Sequence, residues 1–251
     1  MEPQIFTLHN QILEAVLPEV AFPFVSDGKK HTIALVGGGG KTTLMYFLGD
    51  TYAKQNIPTL ITTTTHIRMP EDGSYVATME AACRRWDAQR YAVVGVPDQA
   101  GKLKALPETE LHAYQKRAKQ ILVEADGAKR LPLKVPAEHE PVIPSQTGHV
   151  VSVYGLDAIG RTLESTCFRW ERAAQILEKG GEEFVTAKDI AILASSHKAG
   201  RKGCPPYAQY TVVLNKADSA SKREAALEVC RELNVRGVEN IVVTSLHSKK
   251  L

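Results

Sequence analysis

The chain has 251 residues, of which 43% are hydrophobic and 24% charged, and its formal net charge is +3. This balance is typical of a globular protein and argues against disorder, and so small a net charge predicts neither a nucleic-acid-binding nor a membrane-binding surface. No stretch approaches the roughly 18 apolar residues of a membrane span, and the cysteines form no Cys-x-x-Cys pair. We therefore expect a cytoplasmic protein with a single domain over residues 1–251 and with no nucleic acid or membrane partner.

The first predicted element is a short amphipathic helix at about residues 6–17. Leu8, Ile12 and Val16 recur at helical intervals, and Pro18 would end the helix. We expect this helix to pack on the core of the domain.

A buried strand at residues 31–36 leads into four glycines and a Lys-Thr-Thr sequence: Gly37, Gly38, Gly39, Gly40, Lys41, Thr42 and Thr43. Glycines allow positive φ angles, so consecutive N–H groups can approach anionic oxygens. Lys41 adds a cation, and the hydroxyl of Thr42 suits Mg²⁺. A helix predicted from Thr42 to about residue 54 would direct its positive N-terminus at the same anion. The order of these parts predicts a phosphate-binding loop for a nucleotide.

The spacing of this loop differs from the usual Walker A motif. That motif needs Gly, four residues and Gly-Lys-Ser/Thr, and Leu35 occupies the position of its first glycine. A shorter form, Gly-x-x-Gly-Lys-Thr-Thr, is found in ATP-dependent enzymes of the Mur-ligase class and fits residues 37–43. A dinucleotide fingerprint would need glycine at Thr42 or Thr43 and fails. The expected ligand is therefore ATP or GTP.

A second strand, predicted at residues 58–66, ends in Thr64, Thr65 and His66. Because parallel sheets gather ligands at the carboxyl ends of their strands, these side chains could contact substrate, or they could simply favour the strand. A loop is expected at residues 66–74. We predict a helix at 78–87, a strand at 91–96, a hairpin at 97–106 and a helix at 107–119.

The next apolar strand, from residue 120, ends in Glu124, Asp126 and Gly127, which is the pattern of a Walker B element. Residues two apart point the same way from a strand, and two like charges placed together need a cation. Glu124 would hold Mg²⁺ together with Thr42, and Asp126 would orient the attacking nucleophile. The alternative is a pair of solvated loop acids.

The proline-rich segment at residues 128–144 cannot form a helix, and it carries Lys129, Arg130 and Lys134. An extended basic loop after a Walker B strand could hold an anionic group, or it could be an ordinary charged surface loop. A strand at 149–157 and helices at 169–178 and 187–196 are predicted to follow. The pattern assigns no role to Cys204.

The strand predicted at residues 210–214 ends in Asn215, Lys216 and Asp218, the Asn-Lys-x-Asp form with which GTPases read guanine. The carboxylate of Asp218 would accept hydrogen bonds from guanine N1–H and N2–H₂. The amide of Asn215 would touch the base edge, and the stem of Lys216 would cover the ring. This motif favours GTP over ATP.

The last predicted elements complete an alternation of strands and helices. A Ser221-x-x-Glu224 capping box starts a helix that runs to about residue 233, and a final strand occupies 240–246. The alternation predicts an α/β fold with a mostly parallel sheet flanked by helices, as in P-loop NTPases.

Together these segments resemble the YqeC-type selenium-dependent hydroxylase accessory family. The resemblance is carried by residues 36–43, 62–66, 123–134, 139–144 and 215–218. It implies a nucleotide-dependent helper in the maturation of a selenium-requiring molybdenum hydroxylase. A molybdenum hydroxylase or its cofactor would then be a partner.

The sequence leaves three functions open. The first is a Mg²⁺-dependent NTPase in which Lys41 binds the β and γ oxygens, Thr42 and Glu124 hold the metal, and Asp126 orients water or an acceptor. The second is an ATP-dependent small-molecule kinase or ligase whose acceptor lies along residues 129–134. The third is a nucleotide-binding scaffold without useful turnover.

Overall fold

The computed structural model of the protein describes residues 4–246. Its strands are β1 (Gln4–His9), β2 (Ile12–Ala15), β3 (His31–Gly37), β4 (Thr59–Thr63), β5 (His66–Arg68), β6 (Ala92–Val93), β7 (Val96–Asp98), β8 (Lys102–Lys104), β9 (Gln120–Glu124), β10 (Leu133–Lys134), β11 (His149–Gly155), β12 (Cys167–Phe168), β13 (Gln209–Asn215) and β14 (Asn240–Ser245). Its helices are α1 (Pro18–Ala21), α2 (Lys41–Lys54), α3 (Met79–Asp87), α4 (Glu108–Arg117), α5 (Leu163–Thr166), α6 (Trp170–Leu177), α7 (Ala187–Ser195) and α8 (Ala220–Val235).

One nine-stranded sheet organises these elements, in the order β2-β1-β14-β13-β11-β3-β9-β4-β6. The strands from β14 to β6 pair in parallel, whereas β1 and β2 form an antiparallel hairpin at one edge. The central strand β3 lies between β11 and β9, so the segments that follow these strands meet at the same edge of the sheet. The predicted α/β fold with a P-loop NTPase-like strand, glycine loop and helix is confirmed.

The core explains why β3 reads as an unbroken apolar run. Ile33 and Leu35 pack in a cluster with α2, while Ala34 and Val36 belong to a cluster that includes α7 and α8. Both faces of the strand are therefore buried, which removes the alternation of polar and apolar residues seen in half-exposed strands.

The helix predicted at about residues 6–17 is wrong, because these residues form the hairpin β1–β2. Asn10 and Gln11 have φ angles of 46° and 68°, the left-handed conformation that two-residue hairpin turns require. β1 then pairs with β14. A short isolated helix is marginal in water, so hydrogen bonds to the sheet outweigh the helical spacing of the apolar residues.

Other boundaries also differ from the predictions. Residues 66–74 are not all loop, because His66–Arg68 forms β5, which pairs with β8. A hairpin forms at residues 96–104 from β7 and β8, but the strand predicted at 91–96 is divided, because Ala92–Val93 joins the main sheet as β6. The capping residue of α8 is Ser219 rather than Ser221, and its hydroxyl accepts a hydrogen bond from the Lys222 N–H.

Within residues 4–246, no helix combines the length and apolarity needed to cross a bilayer.

Two histidines meet at the amino ends of β3 and β11. His149 Nε2 lies 3.2 Å from His31 Nδ1, and the His149 ring centroid is 4.7 Å from that of Phe24. His31 Nε2 lies 2.9 Å from the carboxylate of Asp27. Burial, and then the charge on His31, lower the pKa of His149 to about 4, against a weaker opposing effect of Asp27.

We expect the free energy of unfolding to fall as the pH drops from the ordinary histidine pKa, about 6.5, towards 4. In this window the unfolded state binds a proton at His149 that the folded state excludes, so protonation favours unfolding. The variant His149→Gln should lose less stability between pH 7 and pH 5 in urea denaturation. His112→Gln, on the exposed side of α4, is the control. Equal losses in parent and His149→Gln would contradict this assignment.

Candidate functional site

The glycine loop packs tightly against neighbouring backbone. A Cβ atom on Gly38 would lie 2.7 Å from the carbonyl oxygen of Leu131, and one on Gly39 would overlap the backbone of Gly155. Contacts this short leave no room for a side chain, so these positions require glycine. The helix α2 begins directly behind the loop, at Lys41.

The amide groups of the first three glycines bind within the protein. Gly37 N–H donates to Asp126 Oδ2 at 3.2 Å, Gly38 N–H to the Val153 carbonyl at 2.9 Å, and Gly39 N–H to the Leu131 carbonyl at 3.1 Å. These donors are therefore engaged, contrary to the expectation that all four glycines present N–H groups to an anion. The N–H groups of Lys41, Thr42 and Thr43 lie in the first turn of α2, where N–H groups have no acceptor within the helix.

Lys41 is buried beneath the loop, with 4% of its surface exposed. Its amine donates to the Gly37 carbonyl at 2.6 Å and lies 3.1 Å from Asp126 Oδ1 and 4.0 Å from Glu124 Oε1. Burial lowers the pKa of a lysine, but the carboxylates of Asp126 and Glu124 outweigh it and raise the pKa of Lys41. The two carboxylates thus favour the charged form of Lys41 beneath the loop.

Thr42 and Glu124 form a pair of oxygen ligands beside this cation. The hydroxyl of Thr42 donates to Glu124 Oε2 at 2.9 Å. Burial raises the pKa of the Glu124 carboxyl, and Lys41 opposes that rise. Among residues 4–246, no group of three or more His, Cys, Asp or Glu could enclose a metal ion. A hydroxyl and a carboxylate are hard oxygen donors, the kind of protein ligand that Mg²⁺ takes together with phosphate and water.

A chain of alternating charges continues below the loop. Asp126 Oδ2 lies 3.1 Å from the amine of Lys134, which lies 2.7 Å from Glu140 Oε2, and Arg169 approaches the same oxygen at 2.7 Å. Lys134 is fully buried. Burial raises the pKa of Glu140, but hydrogen bonds from Lys134 and Arg169 prevail and lower it to about 2. We call Lys41, Asp126, Lys134, Glu140 and Arg169 the buried charge chain.

Sequence reasoning identified only part of this chain. The sequence predicts Lys134 in an extended basic loop, either at an anion site or on the surface, but it lies on β10 between the buried residues Leu133 and Val135. A lysine within a short apolar run is the signal that could have suggested burial. Glu140 lies in the segment 139–144 that carries the family resemblance, but no pattern marks Glu140 or Arg169 as a partner of a buried lysine.

Asn215 connects the glycine loop to the ends of β13 and β14. Its Nδ2 donates to the Gly39 carbonyl at 2.9 Å. Its Oδ1 accepts from the Thr244 hydroxyl at 2.9 Å and from the Leu246 N–H at 3.3 Å. Because both ends of the amide are engaged, Asn215 positions the loop rather than presenting its side chain to a base.

The other two residues of the Asn-Lys-x-Asp motif lie at the same end of β13. Lys216 has a φ of 70°, and its amine lies 2.6 Å from Asp157 Oδ2, a residue to which the sequence assigned no role. Asp218 is exposed and lies 2.8 Å from the amine of Lys222. His66 pairs instead with Asp98, in the small sheet that contains β5, β8 and β7.

Comparison with known proteins gives a family match that includes the glycine loop and the buried charge chain but not the residues at the end of β13. A model described as YqeC protein matches residues 33–171. The Escherichia coli (strain K12) protein YqeC is 27% identical over 226 residues, which cover 83% of this chain and 85% of that protein. The crystal structure of FtsY from Mycoplasma mycoides matches with a TM-score of 0.40 and 16% identity over 83% of this chain and 59% of the FtsY chain. So low a TM-score supports no conclusion about function.

We expect Lys134→Met to lower the free energy of unfolding by about 3–5 kcal/mol, because it leaves the buried carboxylates of Asp126 and Glu140 with one cation fewer. Arg68→Met removes an ion pair with Glu71 in which both side chains are more than half exposed, so it should cost less than about 1 kcal/mol. Urea denaturation near pH 7 measures both values. Equal, small effects would show that Lys134 is not held in a buried ion pair.

Proposed function

Because the chain belongs to the YqeC family, whose model matches more than half of its length, we propose that it is a Mg²⁺-dependent nucleoside triphosphatase with a phosphate-binding loop. The observation that carries this proposal is the Thr42–Glu124 pair, which lies beside the buried cation of Lys41 at the start of α2. A cation and hard oxygens at a helix N-terminus are what a nucleotide triphosphate with its metal requires.

In the proposed complex, the phosphates lie against the first turn of α2. The N–H groups of Lys41, Thr42 and Thr43 and the positive end of the helix attract the oxygens. Lys41 binds β and γ oxygens, because the neighbouring carboxylates keep its amine charged. Glycine at positions 37–40 brings this turn close to the ends of β11 and β13.

Thr42 and Glu124 would hold the metal ion, which neutralises charge that develops on the phosphates. Thr42 supplies a hydroxyl oxygen and Glu124 a carboxylate oxygen, and the two already lie within hydrogen-bond distance. Asp126 does not belong to this pair of oxygen ligands. It is 2% exposed, and its two oxygens lie 3.1 Å from the amines of Lys41 and Lys134. We propose that Asp126 positions Lys41 and the loop, rather than orienting an attacking water.

The biological role that we propose follows from the family. The YqeC resemblance supports a nucleotide-dependent helper for a selenium-dependent molybdenum hydroxylase, acting as a single domain in the cytoplasm. The motif Asn215, Lys216 and Asp218 at the end of β13 supports GTP as the preferred nucleotide: the exposed carboxylate of Asp218 would read the base, while Asn215 holds the glycine loop beside it.

An ATP-dependent small-molecule kinase or ligase is the second candidate. The spacing Gly-x-x-Gly-Lys-Thr-Thr favours it, and so does the exposed basic turn at Lys129 and Arg130, which adjoins the loop. Phosphate release that requires an added acceptor would identify this activity, whereas release from nucleotide alone supports the triphosphatase.

Glu124→Gln tests the metal site. This change removes a charge at nearly constant shape, so Mg²⁺-dependent phosphate release should fall at least about tenfold, while nucleotide binding in EDTA changes less than about twofold. Asp126→Asn should instead weaken binding in EDTA, since it withdraws support from Lys41. Glu108→Gln on exposed α4 is the control. Parental turnover in Glu124→Gln would refute the proposed metal ligand.

Asp218→Asn tests the base preference. Adenine has an acceptor at N1 and lacks the 2-amino donor, so Asp218 should favour GTP over ATP by roughly tenfold to a hundredfold. The variant should bind GTP more weakly and xanthosine triphosphate more tightly, because xanthine O2 accepts a hydrogen bond where guanine donates one. Asp87→Asn, exposed at the end of α3, serves as the control. Binding of ATP as tight as or tighter than that of GTP in the parent, with no effect of Asp218→Asn, would contradict the proposed preference for GTP.

A further inference from the structure

The turn that follows the Walker B strand presents two cations in an unfavourable backbone conformation. The Leu131 N–H donates to the Ala128 carbonyl at 2.9 Å, and the two residues between them, Lys129 and Arg130, have φ angles of 47° and 63°. Turns with two positive φ angles favour Asn-Gly, because side chains clash with the backbone in that conformation. The chain therefore keeps Lys129 and Arg130 at two positions where Asn-Gly would be less strained.

A third cation approaches the same place. Lys129 Nζ lies 4.8 Å from the centroid of the Phe168 ring, and the guanidinium of Arg169 lies 4.3 Å from it. Arg169 also has a positive φ, 64°. Within the part of the chain that the structure describes, no carboxylate lies within 4.0 Å of Lys129 or Arg130. Arg169 is paired with Glu140, whereas no ion pair within residues 4–246 neutralises Lys129 or Arg130. The neighbouring cations therefore repel one another, which has an electrostatic cost in the absence of an anion.

The basic turn is attached to the glycine loop. The carbonyl of Leu131, at the end of the turn, accepts from the Gly39 N–H, and the carbonyl of Pro132 accepts from the Gly155 N–H at 2.9 Å. Arg169 is in addition the last member of the buried charge chain that begins at Lys41. That chain and Glu124 together contain three cations and three carboxylates, so the charges of Lys129 and Arg130 are in excess.

We propose that Lys129, Arg130 and Arg169 form a binding site for the phosphate group of a second ligand, beside the nucleotide. Guanidinium groups bind phosphate through paired hydrogen bonds, and a phosphate monoester carries close to two negative charges, which suits a cluster of cations. The inference rests on the proposed function only in placing a nucleotide on the glycine loop. The phosphate site itself consists of residues outside that loop.

The test is calorimetric titration of inorganic pyrophosphate into four proteins. These are the parent, Lys41→Ala, the double variant Lys129→Asn/Arg130→Gly, and the combination of all three changes. Lys41→Ala disables the glycine loop, so the pyrophosphate that it still binds reports the basic turn. Asn-Gly relieves the backbone strain, so the double variant should melt at the parental temperature or roughly 2–4 °C above it.

We expect the double variant to bind nucleotide like the parent, and the combined variant to bind pyrophosphate at least tenfold more weakly than Lys41→Ala does. Equal binding by Lys41→Ala and the combined variant would overturn the site, as would tighter binding of citrate than of pyrophosphate. Loss of nucleotide binding in a folded double variant would also overturn it, by placing the turn in the nucleotide site. Absence of nucleotide binding in the parent would refute the proposed function alone.

Discussion

The constraint on which the site depends is the burial of Lys134. An amine removed from water must be paired, and its partners are Asp126 at the end of the Walker B strand and Glu140 in the proline-rich segment. Asp126 in turn holds Lys41, and Glu140 holds Arg169. The proline-rich segment and the residues before α6 are thereby fixed beneath the glycine loop. A loop held by these buried ion pairs is preorganised, so less conformational entropy is lost when an anion binds.

The backbone of the loop is held from three other directions. Val153 of β11 and Leu131 accept its N–H groups, and Asn215 of β13 binds its Gly39 carbonyl. The glycines are therefore needed for a reason other than lining an anion site with their own N–H groups. They allow neighbouring strands to approach within contact distance, while the donors left for phosphate belong to the first turn of α2. Asn215 therefore couples the ends of β13 and β14 to the glycine loop.

Much of this organisation could be predicted from the sequence, because it depends on local patterns. The apolar runs of β3 and β9, the glycine loop and the acids at the end of β9 each have a signature within a few residues. The N-terminal hairpin could not be predicted, since its pairing with β14 joins the two ends of the chain. The pairing in the buried charge chain could not be predicted for the same reason. Lys41, Asp126 and Lys134 are each candidate ligand-binding residues in the sequence, but their ion pairs with one another and with Glu140 form only in the tertiary fold.

The measurement that tests the account most directly is a thermal-shift screen of GTP, ATP, GDP and ADP, each with Mg²⁺ and with EDTA, on the parent and on Lys41→Ala. A ligand at a hundred times its dissociation constant stabilises the folded state by about 2.7 kcal/mol, which corresponds to a rise in Tm of several degrees. The account predicts such a rise with GTP and Mg²⁺, a smaller one in EDTA, and none in folded Lys41→Ala. No shift of the parent with any nucleotide, or an equal shift of Lys41→Ala, would contradict it.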